Sequence, residues 1–190
     1  MHACCCRFCG ASLHTTMVDL GMSPLANAYL MAEQLHQMEP FYPLRVYVCE
    51  HCWLVQLEAF TAPESIFTDY AYFSSYSDSW LQHAEAYVEL VVKRFGLHAT
   101  SQVVEIASND GYLLQYFVAQ GIPVLGIEPA ANVAAAAQQR GISTLVQFFG
   151  EGLAKQLVAQ DTQADLIVGN NVLAHVPNLN DFVSGLKLLL

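Results

Sequence analysis

The chain has 190 residues, the length of one to two domains at about 150 residues each. Hydrophobic residues make up 54% and charged residues only 13%, which excludes an intrinsically disordered chain. The net charge of -10 argues against nucleic-acid binding driven by phosphate neutralisation.

Met1 to Arg7 holds no apolar core of signal-peptide length, and no apolar run approaches the roughly 20 residues of a spanning helix. A soluble cytoplasmic protein without a membrane partner is expected. Arg45–Val48 and Leu54–Leu57 are short β-rich runs on either side of a cysteine pair, as in a small sheet with a metal-holding turn. An aromatic, hydroxyl-rich segment, Tyr70 to Ser77, precedes a helix. Ser77 or Asp78 could cap that helix, and Gly96 could stop it. Its helical spacing runs through Trp80, Ala84, Tyr87, Val91 and Phe95.

From about residue 101 the rhythm becomes strand, turn, helix. Strands are predicted at Val103–Ala107, Val124–Ile127, Thr144–Val146 and Asp165–Gly169. Helices are predicted at Gly111–Gln120, from Pro129 to a stop at Gly141, and at Glu151–Gln160. That alternation predicts an α/β fold, a parallel sheet with helices on both faces. The expected division is a β-rich domain over residues 1–67 and an α/β domain over 68–190. The chain ends within an amphipathic helix, Asp181 to Leu190, that has no capping signal, so it reads as cut. Leu188–Leu190 and the last strand would then expose an apolar edge prone to self-association.

The six cysteines lie at 4, 5, 6, 9, 49 and 52. In a reducing compartment such crowding points to metal rather than disulfides. Cys6-Arg7-Phe8-Cys9 and Cys49-Glu50-His51-Cys52 are two C-x-x-C turns about 39 residues apart. Each turn aims two sulfurs at one ion, and two turns make the four-thiolate shell that structural Zn2+ prefers. Cys4, Cys5 and His51 are the alternative ligands. Gly10 suits a turn whose backbone comes close to the metal.

Glu105-Ile106-Ala107-Ser108-Asn109-Asp110-Gly111 leaves the first buried strand and opens a helix, where ligands meet free N–H groups. Positions 107 and 109 are Ala and Asn, so the dinucleotide glycine fingerprint is missing and an NAD enzyme is disfavoured. Glu128 ends the second strand, where an acid takes both hydroxyls of a ribose. Two such acids match S-adenosylmethionine, whose methionine end is zwitterionic and whose sulfonium is positive. Asp110 could instead be only a helix cap. Asn170, Asn171 and His175 follow the fourth strand and would face the same crevice, with His175 a candidate general base. A lone loop histidine is more often satisfied by backbone.

Together these motifs resemble the S-adenosylmethionine-dependent C-methyltransferases of deoxysugar biosynthesis. Cys6 to Gly10, Asp19-Leu20-Gly21, Pro24 to Asn27, Tyr42-Pro43-Leu44 and Cys49 to Leu57 are similar to that family's zinc-binding domain. Tyr70 to Trp80, Glu105 to Leu114, Gly126 to Pro129 and Asn170 to Asn178 are similar to its core, a Rossmann-like class I methyltransferase fold. The resemblance implies zinc on Cys6, Cys9, Cys49 and Cys52. It implies a methyl-donor pocket of Glu105, Ala107, Asn109, Gly111 and Glu128, with Phe148 near the adenine. His175 matches a residue of base chemistry, and Tyr70, or else Tyr72, an active-site tyrosine. The implied acceptor is a nucleotide-linked (dTDP) 4-keto-6-deoxysugar, methylated at C3. The family's later sugar-site motif and nucleotide-holding domain are not in this chain, so weak donor binding and no turnover are expected of it alone. A small-molecule O- or N-methyltransferase and a non-catalytic zinc module are the competing readings.

Overall fold

The computed structural model describes residues 4–67 and 70–190. It divides into two compact units, one of residues up to Ile66 with Pro177–Asn180, the other of Phe67–Val176 with Asp181–Leu190. The expected boundary after residue 67 abuts Thr68 and Asp69, and the N-terminal reading includes Met1–Ala3; these five lie outside the described residues.

The first unit holds an antiparallel sheet in the order β1 (Thr15–Ser23), β2 (Tyr42–Val48), β3 (Val55–Leu57). A single 3-10 turn, Ala32–Gln34, lies between β1 and β2, and a short helix α1 covers Glu64–Phe67. Strand β1 has no counterpart in the sequence reading. Its register against β2 shifts between Thr16 and Val18 and again between Asp19 and Met22. Each shift breaks the period-two alternation by which a half-buried strand is recognised. At the second, Gly21 takes φ +82° and gives its N–H to Asp19 Oδ1 at 2.9 Å, while Arg45 pairs with Asp19 Oδ2 at 2.6 Å.

The second unit begins with α2 (Asp78–Phe95). Ser77 is its N-cap, accepting the Trp80 N–H, and Gly96 is a left-handed C-cap at φ +64°. The buried stripe is Ala84, Val88 and Val91, whereas Trp80 and Phe95 are largely exposed. The expected stripe was therefore offset at its ends, because Trp80 stacks on Tyr112 at 6.0 Å instead of entering the core.

A wholly parallel sheet follows: β4 (Val103–Ile106), β5 (Val124–Ile127), β6 (Thr144–Leu145) and β7 (Leu166–Val168), in the order β6-β5-β4-β7. Helices α3 (Leu114–Ala119), α4 (Ala131–Gln139), α5 (Glu151–Val158) and α6 (Leu179–Leu189) are interleaved with or follow the strands. This is the α/β architecture expected, with elements shorter by a few residues. Pro129 stands before α4, whose N-cap is Ala130, rather than in its first turn.

Successive residues of a strand face opposite ways, and β4 shows the result. Val103 joins a cluster with Val88, Val91, Leu114, Phe117 and Ile142, while Val104 joins Ile127, Leu153, Leu157 and Leu189. The sheet is thus covered on both faces, and all four residues of β4 are buried. Of the apolar end expected to face outward, Leu188 and Leu190 are exposed, whereas Leu189 is fully buried in the second cluster. Helix α6 also serves α5. Asp181 accepts the Glu151 N–H at 3.3 Å, and Gly185 lies so near Gly150 that a Cβ would come within 2.8 Å of its carbonyl carbon.

The order matters for function. The chain moves outward from β4 through β5 to β6, then returns to β7 on the other side. The carboxyl ends of β4 and β7 therefore flank a topological switch point, where open α/β sheets bind ligands.

Candidate functional site

In the first unit the two C-x-x-C turns meet. The sulfurs of Cys6, Cys9, Cys49 and Cys52 all lie within 4.8 Å of one another. Cys6 and Cys52 are 3.5 Å apart and Cys9 and Cys49 3.6 Å. Zn–S bonds of about 2.3 Å in a tetrahedron demand S–S separations near ~3.8 Å, so the cluster fits zinc. Cys4, Cys5 and His51 are not part of it.

The turns are built alike. Gly10 donates its N–H to Cys6 O at 2.9 Å, and Trp53 donates to Cys49 O at 2.8 Å. Each stands four residues after the first cysteine of its turn, and both have left-handed backbone, φ +76° and +65°. Gly10 has a left-handed backbone angle that a glycine takes without strain, and a Cβ there would meet no protein atom within 4 Å. Outside the ligands, Gln56 donates to Cys6 Sγ at 3.1 Å and accepts the Arg7 N–H at 2.9 Å. Burial opposes ionisation of Cys6, but N–H groups at Cys9 and Phe8 and the Gln56 amide bring its thiol down to about 6. That donor set stabilises a thiolate, the form a metal needs.

In the second unit the segment after β4 carries the other candidates. Ala107, Asn109 and Gly111 have φ of +55°, +51° and +77°. The alternating left-handed geometry that a glycine-rich loop adopts is therefore present although two of the glycines are not. An alanine in that region costs about 1–2 kcal/mol, and such strain collects at functional sites. Gly111 is required on a second ground, since a Cβ there would lie 2.2 Å from Ile142 Cδ1.

Glu128, at the end of β5, ties this loop down. Its Oε2 accepts the Asn109 N–H at 2.9 Å and its Oε1 the Ala130 N–H at 2.8 Å. Burial raises its pKa, and those two donors partly offset the rise. Glu105 is more extreme. It is 1% exposed, and its Oε2 has no hydrogen-bond partner. Burial first, then Glu128 and Asp110, push its pKa well above the ordinary carboxylate value. Ser108 Oγ and Asp110 Oδ1 are also buried without partners. Orphaned buried polar atoms in such a group call for a ligand.

Tyr112 was not among the candidates read from sequence. It is 5% exposed, and burial, then Glu105, push its phenol up to about 12, while the Asn170 side chain hydrogen-bonds it. Asn170 therefore reaches the Glu105 neighbourhood through Tyr112. Asn171 is exposed at φ +56°, and Phe148 lies 42% exposed beyond β6.

The aromatic candidates form a chain of rings. His175 meets Phe67 edge-on at 6.4 Å, Phe67 meets Tyr70 at 5.8 Å, and Tyr70 meets Tyr72 at 6.4 Å. Phe67, the link, had no signal in the sequence beyond being one of 10 phenylalanines. His175 itself is exposed, in a 3-10 turn over Leu173–His175.

Comparison with known proteins follows the same division. Residues 6–67 match a family described as "Putative zinc binding domain", and residues 104–190 one described as "Methyltransferase domain". The chain is 35% identical over 185 residues to the C-methyltransferase NovU of Streptomyces niveus, covering 97% of this chain and 44% of NovU. It thus spans less than half the length of that relative. Among solved structures it is similar to the magnesium protoporphyrin IX methyltransferase of Synechocystis PCC 6803 with bound S-adenosylmethionine. That likeness is 20% identity over 57% of this chain and 53% of the other, with a TM-score of 0.46. A Geobacter sulfurreducens methyltransferase in complex with S-adenosyl-L-homocysteine gives 15% identity, 67% and 48% coverage, and a TM-score of 0.43. No described helix is long and apolar enough to cross a membrane.

Proposed function

We propose that the chain, which matches a zinc-binding and a methyltransferase domain model and is 35% identical to a C-methyltransferase, belongs to that C-methyltransferase family and holds the methyl donor for C-methylation of a sugar. The donor is S-adenosylmethionine, and the acceptor is a dTDP-linked 4-keto-6-deoxysugar methylated at C3, in the cytoplasm. The observation that carries this reading is Glu105: a buried carboxylate with an unpartnered oxygen at the switch point, one strand from Glu128. Glu105 would hold the donor's ammonium and Glu128 its ribose hydroxyls. Ala107, Asn109 and Gly111 give the loop its left-handed path around the donor, with Asn170, Asn171 and Phe148 at its margins.

When bound, S-adenosylmethionine supplies an electrophilic methyl group on a positive sulfur. His175 would take the C3 proton of the acceptor, acidic because the neighbouring carbonyl delocalises the charge. Tyr70 or Tyr72 would hydrogen-bond the developing enolate oxygen, which lowers the barrier to removing the C3 proton. The C3–H bond would break with its proton passing to the imidazole, and the C3–methyl bond would form as the sulfur–methyl bond of the donor breaks and the neutral thioether leaves. Zinc on the four cysteines is structural, since a closed thiolate shell leaves no open position. The unpaired side of β7, which bonds only to β4 among the described residues, is the surface proposed for self-association.

Calorimetry on the folded, zinc-loaded, full-length protein tests the donor assignment. S-adenosylmethionine and its demethylated product should both release heat, and Glu105→Gln should weaken them at least tenfold. Absence of heat favours a non-catalytic zinc module. Transfer to hydroxyl or amine acceptors but not to the keto sugar favours the O- or N-methyltransferase alternative.

A further inference from the structure

The segment Tyr70–Tyr76, which carries both candidate tyrosines, is held by hydrogen bonds from Asn109 and Asp110 of the donor loop and from Asn132 and Arg140, which no motif singles out. At one end Asn132, in the first turn of α4, grips the Tyr70 peptide from both sides. The Tyr70 N–H donates to Asn132 Oδ1 at 3.1 Å, and Asn132 Nδ2 donates to Tyr70 O at 2.7 Å. In the middle Asn109 does the same across a wider span. Its Nδ2 donates to Tyr72 O at 3.0 Å and its Oδ1 accepts the Ser74 N–H at 2.8 Å. At the other end the Ser75 hydroxyl donates to Asp110 Oδ2 and accepts from Arg140 at 2.9 Å, while Arg140 pairs with Asp110 at 3.2 Å. Asn109 is the hinge of this arrangement, because its own N–H rests on Glu128.

We propose that Asn132, with the Asp110–Arg140 pair, is a positioning residue that clamps the Tyr70–Tyr76 strap onto the methyl-donor loop. The clamp rests on the donor and tyrosine roles proposed above. It sets the Tyr70 ring between those of Phe67 and Tyr72. Asn109 bonds Glu128 with its backbone and the strap with its side chain, so it ties the middle of the strap to the donor loop independently of Asn132. Two asparagines gripping backbone N–H and C=O groups hold the backbone of the strap in position. Asn132 lies away from Glu105 and from the four cysteines in sequence and touches neither by any bond above.

Asn132→Ala and Asn132→Asp test it in the full, zinc-loaded chain. The aspartate keeps the acceptor for the Tyr70 N–H and loses the donor to Tyr70 O. Amide hydrogen exchange should show the Tyr70 N–H at least tenfold faster in Asn132→Ala, nearly restored in Asn132→Asp, with Ser74 still protected by Asn109. Where methyl transfer is measured, kcat should fall at least tenfold in Asn132→Ala while the donor Kd stays within twofold. Unchanged Tyr70 exchange in Asn132→Ala overturns the clamp, and so does an unchanged kcat or a loss confined to donor binding. The exchange measurement needs neither donor nor acceptor. Where the chain alone gives no methyl transfer, as expected of it, the clamp is decided by exchange, and the proposed function is decided separately by donor binding.

Discussion

The two units solve the same problem, holding a strained turn in place, by opposite means. In the first, the buried apolar cluster comprises only Cys6, Leu13 and Cys49, and β1 is exposed along most of its length. Two turns with left-handed Gly10 and Trp53 are held by four sulfurs arranged for one ion. In the second, the left-handed Ala107, Asn109 and Gly111 stand on a sheet packed on both faces, and side-chain hydrogen bonds fix the rest. A small unit that cannot bury enough surface takes its stability from a metal; a larger one can afford buried, unpartnered polar atoms.

The comparison breaks hardest at the cysteines. Cys49→Ala should cost the first unit most of its metal-linked stability, of order 10 kcal/mol at neutral pH. Elemental analysis should fall from about one zinc per chain, and exchange protection should be lost in β2 and β3 while β4 and β5 keep theirs. Full zinc occupancy in the variant would reject the assignment. Phe117→Ala is the converse experiment. Phe117 is fully buried in the second unit, so the change should cost about 3–5 kcal/mol in denaturant melts and leave zinc content unaltered.

Glu105→Gln sharpens the contrast through pH. A carboxyl whose pKa is raised on folding contributes stability that is fully present below the unfolded value of 4.5 and is lost as pH rises toward the folded value. The glutamine removes that loss. The variant should therefore be more stable than the wild type at pH 7 in denaturant melts, and the gap should close near pH 4. A variant less stable at pH 7 would show that Glu105 is not held against its ionisation. The smallest effect is at Trp53. Trp53→Gly relieves a left-handed tryptophan that is 73% exposed, offset by added freedom in the unfolded chain. A net gain of roughly 0.5–1 kcal/mol in the zinc-loaded protein is expected. A loss would mean that the indole contributes packing to the turn.

Local pattern made much of this molecule readable. The paired C-x-x-C turns, the β/α alternation after residue 101 and the caps Ser77 and Gly96 each depend on neighbours within a few positions. Strand β1 was not readable, because two register shifts scramble its alternation. The dinucleotide glycines are missing at 107 and 109, yet Ala107 and Asn109 adopt left-handed angles that glycine would take most easily, which the residue types alone do not announce. The surrounding bonds to Ile127, Glu128 and Tyr72 impose the left-handed angles that local preference resists.

By itself, the sequence determined where sulfur, carboxylate and hydrophobic periodicity fall, and hence the zinc turns and the α/β class. Tertiary structure alone decided which groups meet. The strand order β6-β5-β4-β7 creates the switch point. Burial leaves Glu105 without a partner for one oxygen, and Asn132 and Asn109 hold Tyr70 and Tyr72 from 62 and 37 residues away. Composition and spacing encode contacts within a turn or two of chain, whereas these pairings exist only once distant segments are packed together.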